Sequence, residues 1–496
     1  MSNQNTLNTF NYEKNNRNRL QNLKINVIVE AYENGGIDIG KKFMKTDLKY
    51  FKLQTTNGNP FSNAVIMGRV TADTLLNPLP NRKNYIISNT IKERDGFKVF
   101  DSIHAALIDA IMDEDIENIW ICGGSKIYEE FFKHYLPDEI YLATNNLPQF
   151  QYIKFETFIN LETFIPKGET FIYNLISEDF DNEYYEFFIY KLYYLKYEGE
   201  NNYFSIIQNI ISNGFYQQDR TNVGTLSIHG DMFRINIRNN ILPVITSRRT
   251  FFRGAIEEFL WMLRGETDTT SIKEKGINIW DGNTNCEFIK NRGLEGIVPE
   301  GNIGCLYGYQ IRNWGGDWDK WMKNKEKTGI DQLDNLIKNL ILDKNSRRHI
   351  ISNYNVSQLK MGVLEPCHTL YCFTVDTVNK ELHSTLFMRS VDTCCGLVLN
   401  IIHIAFLTHM LASIMSDENE KYTAGDFVFM GNNLHIYINH IYNFILQSKR
   451  RRYNFPTIKF NKEIKCLKDI ENLDYEKDIK IQNYKCGNTM KYQMAI

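Results

Sequence analysis

The sequence predicts two domains of different class, an α/β unit followed by an α+β unit. Three observations predict this. The chain has 496 residues, more than one hydrophobic core usually organises. Its first half alternates short apolar runs with helical patterns, the rhythm of a largely parallel sheet flanked by helices. Its second half mixes longer helices with strands and drops that alternation. With 43% hydrophobic residues the chain has material for a core in each half.

In chain order, "MSNQNTLNTFNYEKNNRNRLQNLK" (1–24) is polar and asparagine-rich. It has no apolar centre, so it is no secretory signal, and it reads as a disordered tail. The first domain is expected over 25–197. "INVIVEA" (25–31) alternates Ile25, Val27 and Val29 as a strand. "AVIMG" (64–68), "NYIIS" (84–88) and "NIWICGG" (118–124) are short apolar runs that end in turn residues. "SIHAALIDAIMDE" (102–114) has helical spacing, and "EYYEFFIYKLYYLKY" (183–197) reads as a closing strand.

"EGENN" (198–202) is a short polar junction, and the second domain is expected over 203–496. It opens with the helix "YFSIIQNIISNG", stopped by glycine. "AIEEFLWMLRG" and "DQLDNLIKNLILD" read as helices, and "RHIISNYNV", "LYCFTVDTV" and "ELHSTLFMRSV" as strands. The run "GLVLNIIHIAFLTHMLASIM" (396–415) is long enough to span a bilayer. It carries Asn400, His403 and His409, so it reads as a buried strand end followed by a core helix, and no membrane is expected.

The net charge of −2 argues against a whole-chain polyanion binder. The basic run "KRRRYN" (449–454) follows the helical "HIYNFILQS" and reads as a solvated helix C-terminus, so no nucleic-acid partner is expected. The nine cysteines are odd in number and contain no C-x-x-C pair. No metal site is expected, and free thiols fit a reducing, cytoplasmic compartment.

"LEPCHTLYCF" (364–373) sets Cys367 beside His368 behind a proline. The cysteine could be a nucleophile, a metal ligand, half of a disulfide or an inert thiol. Arg220, Arg347, Arg348 and Arg389, with Ser390, are the residue types that hold a phosphate, because a guanidinium donates paired hydrogen bonds.

"LEPCH", "RSVDTCCGLVLN", "WDGN", "YGYQIR", "EEFLWML", "HIYINH" and the terminal "MAI" together resemble thymidylate synthase, from about 203 to 496. The resemblance implies a mixed subunit that dimerises through a sheet and methylates dUMP with 5,10-methylenetetrahydrofolate. It implies Cys367 as the nucleophile, with a pKa lowered by Arg389. Glu258 is implied as general acid and base, Tyr307 as a helper in removing the C5 proton, and Asn400 as reader of the uracil edge. Arg220, Arg389 and Ser390 would hold the phosphate, with Arg347 and Arg348 arriving from a second subunit. His435 and Tyr437 would bind the ribose. Trp280, Asn283, Asp392, Gly396 and Ile496 would line the folate side. His368 would be positional, and Cys372, Cys394 and Cys395 core thiols. Met388, Val398-Leu399, Glu365 and Asn433 stand where the family usually has glutamine, Pro-Phe, proline and aspartate.

"ENGGI", "TDLKYFKLQTT", "VIMGRVT", "PLPNRKNYIIS" and "ICGGSKIYEEF" resemble dihydrofolate reductase over about 25–195. Glycines 123 and 124 follow a strand and open a helix, which frees backbone N–H groups for a pyrophosphate. The resemblance implies NADPH as cofactor, held by Arg69, Thr71, Ser88, Gly123 and Gly124. Folate would meet Asp47, Phe51 and Arg82, with Asp47 assisting protonation of the pterin. Gly40-Lys41-Lys42 replaces the usual Leu-Pro-Trp, and Ala143 and Val70 depart from the family pattern. The two resemblances in this order are those of the bifunctional dihydrofolate reductase–thymidylate synthase family. The alternative is a synthase carrying a catalytically decayed reductase-like domain.

Overall fold

The computed structural model describes residues 16–32, 45–145, 171–182, 185–194, 199–218 and 223–493. The chain divides into two compact units: residues 1–197 with 441–453, and residues 198–440 with 454–496.

The first unit is built on an eight-stranded sheet of order β4-β3-β2-β5-β1-β6-β8-β7. The strands are β1 (Lys24–Tyr32), β2 (Asn63–Gly68), β3 (Lys83–Ile87), β4 (Lys98–Phe100), β5 (Asn118–Ile121), β6 (Glu139–Asn145), β7 (Phe171–Asn182) and β8 (Tyr185–Tyr194). The six from β4 to β6 are parallel, and β8 then runs antiparallel to both β6 and β7. In β1 the alternation read from Ile25, Val27 and Val29 is only half of the pattern. Asn26 and Ile28 are also buried, because a central parallel strand is covered on both faces.

Helices α1 (Lys45–Thr55), α2 (Arg69–Asp73), α3 (Ile103–Met112) and α4 (Ser125–His134) flank the sheet. Ser102 caps α3 by accepting from the Ala105 N–H at 3.3 Å, and Ile103, Ala106, Leu107, Ala110 and Ile111 form its buried face. The tail expectation fails at its inner end. Residues 16–22 are helical, Leu20 and Leu23 are buried, and Arg19 donates to the carbonyls of Ile111 (2.7 Å) and Asp113 (2.8 Å). A cation on the last carbonyls of α3 offsets the helix dipole there, which a reading of polarity alone did not detect. Residues 1–15 lie outside the described residues.

The basic run at 449–454 is not solvated as expected. It does follow a helix, Ile441–Ser448. Yet Arg450 and Arg452 are buried, Lys449 pairs with Asp138 at 2.7 Å, and Arg452 donates to the Ser448 carbonyl at 3.1 Å. The guanidinium of Arg450 lies 5.8 Å from the Tyr135 ring. Tyrosine faces and carboxylates absorb these charges within the unit.

The second unit holds a six-stranded sheet of order β11-β12-β13-β14-β10-β9. Its strands are β9 (Phe215–Gln217), β10 (Thr225–Asn236), β11 (Ile350–Ser352), β12 (His368–Asp376), β13 (Glu381–Asp392) and β14 (Thr423–Tyr437). All pairs are antiparallel except β13 with β14. The helices that matter here are α5 (Glu200–Asn213), α6 (Phe252–Leu263), α7 (Gly308–Asn313), α8 (Gln332–Leu342) and α9 (Gly396–Ile414). Helix α5 starts inside the polar junction, because the buried Glu200 carboxylate accepts from the backbone N–H groups of Thr246 (2.9 Å) and Ser247 (3.0 Å).

The apolar run at 396–415 is one helix, α9, with no strand at its start. It is long and apolar enough to cross a membrane, but it is mostly buried against β13, β14 and α6. A helix apolar on all sides belongs in a core. The opposite face of the sheet carries an apolar row in register: Met232 opposite Met430, Met430 opposite Phe387, and Phe387 opposite Leu370. Met232, Met430 and Phe387 are exposed.

Candidate active sites

In the second unit the loop before β12 carries Cys367. Three bonds fix it. The Tyr307 hydroxyl accepts from the Cys367 N–H at 3.0 Å, and the Cys367 carbonyl accepts from the Arg389 N–H at 3.0 Å. The Arg389 guanidinium donates to the carbonyls of Glu365 (2.6 Å) and Pro366 (3.0 Å). Glu365, the departure from proline, also accepts from Arg292 at 3.0 Å. The cysteine is half-buried, at the mouth of a rigid turn.

Glu258 sits on α6, only 6% exposed. Its Oε1 accepts from the Trp280 indole N–H at 2.8 Å, and its Oε2 lies 3.5 Å from His403 on α9. Burial pushes its pKa up to about 8, against the smaller opposing effect of the Trp280 bond. The rings of Trp280 and Tyr307 meet edge-on at 6.1 Å, and Tyr307 and His368 at 5.5 Å, so carboxyl and thiol loop share one aromatic wall. Burial raises the Tyr307 phenol well above its ordinary pKa, and the nearby Cys367 adds to this.

His368 is buried, with Nδ1 2.9 Å from the Tyr371 hydroxyl, and burial lowers its pKa to about 4. A neutral, hydrogen-bonded imidazole is the positional role expected of it. Sequence reading missed His403. It is buried, stacks on Phe259 at 4.7 Å, and looked like an interruption of an apolar run.

Several other expected residues lie where β12 starts and β13 and β14 end. Asn400 donates to the Met388 sulfur at 3.7 Å, so the methionine that replaces glutamine still touches that amide. Asn433 Oδ1 accepts from His435 Nδ1 at 2.9 Å, and the rings of His435 and Tyr437 meet at 5.5 Å. Ser390 pairs with Asn433 in the ladder, and Asp392 with His435. Asn283 lies one turn past Trp280. A Cβ at Gly396 would meet Asn400 Nδ2 at an ordinary 3.5 Å, so packing alone does not require glycine there. Arg347 and Arg348 are exposed just before β11. Cys394 is buried, while Cys372 and Cys395 are half-buried. Arg220 and Ile496 lie outside the described residues.

In the first unit, α2 and α4 start side by side after β2 and β5. The Gly68 N–H donates to the Gly123 carbonyl at 2.8 Å. Gly123 has φ +103°, where a side chain would be strained and would strike Tyr128. A Cβ on Gly124 would meet Thr71 Oγ1 at 3.4 Å, an ordinary contact, so the two side by side form the floor of this turn without packing demanding glycine at 124. Arg69 pairs with Asp73 at 2.6 Å. Ser88 is buried, and its hydroxyl accepts from the N–H groups of Thr90 (3.1 Å) and Ile91 (3.2 Å). Beside it a cavity of about 300 Å³ is lined by Ser88, Ile91, Lys92, Val99, Phe100 and Asp101. Lys92 is a cation that sequence reading passed over.

Arg82 is buried, donates to Thr55 Oγ1 at 2.7 Å and lies 5.8 Å from the Phe51 ring. The two expected folate residues therefore sit together. Asp47 lies on α1, with its side chain outside the described residues. The segment with Gly40, Lys41 and Lys42 is also outside them. Ala143 is buried opposite Phe187 on β8.

A glycine cradle at paired helix starts and a loop thiol beside a buried acid define a chain with two catalytic units, one for a nucleotide cofactor and one for covalent chemistry. A family model described as thymidylate synthase matches residues 201–496, and one described as dihydrofolate reductase matches residues 24–183. Relatives named bifunctional dihydrofolate reductase-thymidylate synthase match nearly end to end. The one from Paramecium tetraurelia is 32% identical, covering 96% of this chain and 99% of its own. Those from Zea mays (91% and 92%) and Leishmania major (91% and 90%) are each 30% identical. The chain belongs to the bifunctional dihydrofolate reductase–thymidylate synthase family.

Proposed function

We infer that the second unit converts dUMP to dTMP with 5,10-methylenetetrahydrofolate, and that the first unit reduces the dihydrofolate so formed with NADPH. Both family models in one chain, and relatives of the same two-part name along its whole length, support the pair of activities over a decayed reductase.

In the synthase step the Cys367 thiolate adds to C6 of the pyrimidine, and the C5–C6 electrons move to the C4 oxygen as an enolate. C5 attacks the folate methylene carbon and loses its proton. The bond from that carbon to the folate nitrogen breaks to leave an exocyclic methylene on C5. Hydride from the released tetrahydrofolate adds to that methylene carbon, giving the methyl group and dihydrofolate. The S–C6 bond then breaks and returns the thiolate. Glu258, a neutral acid near pH 7, donates and retrieves protons at the pyrimidine and the folate nitrogen. Tyr307 holds the thiol loop and assists removal of the C5 proton. Asn400 donates to and accepts from the uracil edge. Arg220, Arg389 and Ser390 take the phosphate, and His435 and Tyr437 the ribose. Trp280, Asn283, Asp392, Gly396 and Ile496 face the folate.

We further propose a homodimer through the exposed sheet face. The in-register row Met232, Met430, Phe387 and Leu370 is the kind of apolar surface a partner covers. Arg347 and Arg348, exposed beside that sheet, would reach the partner's phosphate site. All nine cysteines are free thiols, which fits a reducing compartment.

In the reductase unit NADPH supplies a hydride when bound. Gly123, Gly124, Arg69 and Thr71 cradle its pyrophosphate, Ser88 lies at the outer phosphate, Phe51 and Arg82 hold the folate, and Asp47 assists protonation of the pterin.

The observation that carries the synthase reading is the buried Glu258 sharing a wall with the Cys367 loop. One assay tests both activities. With dUMP and methylenetetrahydrofolate alone, dihydrofolate absorbance should rise. Adding NADPH should then drain it, with stoichiometric NADPH loss. Dihydrofolate that accumulates unchanged with NADPH present would contradict an active reductase.

A further inference from the structure

In the second unit, three side chains from different elements converge. Asp392 ends β13, Cys395 precedes α9, and His440 follows β14. One ligand atom from each lies within 4.8 Å of the others. His440 is 1% exposed. Its Nε2 lies 2.8 Å from the Gln493 carbonyl, which can only accept, so Nε2 carries the proton. Nδ1 is then a bare lone pair, and it is buried with no hydrogen-bond donor among the described residues. A buried acceptor left unpaired costs about 1–3 kcal/mol, so the position calls for an electrophile.

We propose that Asp392, Cys395 and His440 form a binding site for a borderline-soft divalent cation of the Zn²⁺ class. An imidazole whose far N–H is held by a backbone carbonyl is the usual orienting arrangement for a histidine ligand. Asp392 is oriented in the same way, since its Oδ1 accepts from the N–H groups of Cys394 (3.0 Å) and Cys395 (3.2 Å). One sulfur, one nitrogen and one oxygen select zinc or cobalt over magnesium or calcium, which take oxygen ligands. Bonds of about 2.0–2.3 Å in a tetrahedral site require ligand atoms roughly 3.3–3.8 Å apart. Contraction of about an ångström therefore closes the site, within the reach of side-chain rotation. Binding releases the Cys395 proton to solvent and leaves a fourth position open. The Cys395 thiol now rests 3.9 Å from the Tyr492 carbonyl, a weak contact to give up.

One group opposes the ion. The Arg248 guanidinium, stacked 4.6 Å over Tyr492, repels charge at this place. Burial and Asp392 keep the Cys395 thiol protonated without the ion. Once the ion displaces that proton, the two formal negative charges on Asp392 and Cys395 outweigh the guanidinium. The missing C-x-x-C spacing did not exclude such a site, because its ligands come from three separate elements. The proposal stands on these side chains and does not need the folate assignment of Asp392.

The test uses the full chain, stripped with chelator and titrated with Co²⁺ as an optical probe. One equivalent should produce a thiolate-to-cobalt charge-transfer band with strong visible bands of a four-coordinate site. Cys395→Ser should abolish the charge-transfer band, and His440→Gln should raise the Kd by at least about tenfold. Cys286→Ser and Cys466→Ser remove exposed thiols beside Glu300 and Asp469, and both should keep it. A wild-type chain without the band, or a band that survives Cys395→Ser, would overturn the site. A second readout needs no variant: stoichiometric Zn²⁺ should protect Cys395 from alkylation, read residue by residue by mass spectrometry. Unchanged labelling of Cys395 would likewise overturn it.

Discussion

Glu258 shows how one residue takes its chemistry from its neighbours. An ordinary glutamate is ionised at pH 7 and cannot act as an acid. Buried out of water, and in spite of the Trp280 bond, it keeps its proton to about pH 8. Synthase turnover should therefore fall as pH rises through about 8. Glu258→Gln should lower kcat on the order of 10²–10⁴-fold and remove that limb from the pH profile. A variant that keeps the limb would assign it to another group. Stability has a matching sign. Between pH 4.5 and about 8 the unfolded carboxyl ionises while the folded one does not, so wild type loses stability over that window and Glu258→Gln should not. Cys367, Glu258, Tyr307 and Asn400 could be named as candidates from the sequence because each sits in a long ordered motif. His403 could not be, because only the packing of α9 on α6 brings it to the acid. Arg389 was legible as a cation, but its bonds to the carbonyls of Glu365 and Pro366 belong to a folded turn.

At the scale of elements, periodicity and punctuation found most strands and helices, and the misses share a cause. Tertiary partners extended or buried segments that local polarity marked as free. Arg19 drew residues 16–22 onto the end of α3, Glu200 pulled the start of α5 into the junction, and Tyr135 with Asp138 took up the charges after Ser448. Arg312 on α7 is the strongest such case. It is 1% exposed and ties the Asp331 carboxylate before α8 (3.0 Å), Glu471 (2.7 Å) and the Leu263 carbonyl at the end of α6 (2.7 Å). Arg312→Ala leaves those acceptors without their cation and should cost about 3–5 kcal/mol. Urea unfolding read by tryptophan fluorescence checks this, since five of the six tryptophans lie in the second unit. A loss under about 1 kcal/mol would show the cluster to be solvated, as surface ion pairs are.

At the scale of the molecule, the order of motifs was enough to read two catalysts in one chain, whereas assembly needs geometry that one sequence does not carry. Only the ladder registers show that Met232, Met430, Phe387 and Leu370 form one row. Met430→Glu puts a charge in its middle. Light scattering should report monomers, and dTMP synthesis should fall while NADPH-dependent dihydrofolate reduction continues. A dimer that persists would place the interface elsewhere. Subunit mixing tests the crossed arginines. A heterodimer of Cys367→Ser with Arg347→Ala has one site with both defects and one with neither, so activity should partly return. No recovery in a verified heterodimer would place Arg347 in its own subunit's site.

The central claim is that Cys367 carries the synthase chemistry while the reductase unit works without it. The most direct measurement compares wild type and Cys367→Ser in two assays on the same preparation, dTMP formation and NADPH oxidation with added dihydrofolate. A hydroxyl is far less ionised than a thiol near pH 7 and cannot open the enolate route. Cys367→Ser should therefore lose dTMP formation and keep dihydrofolate reduction at the wild-type rate. Retention of more than about a tenth of dTMP turnover, a barrier change below ~1.4 kcal/mol, would contradict the account.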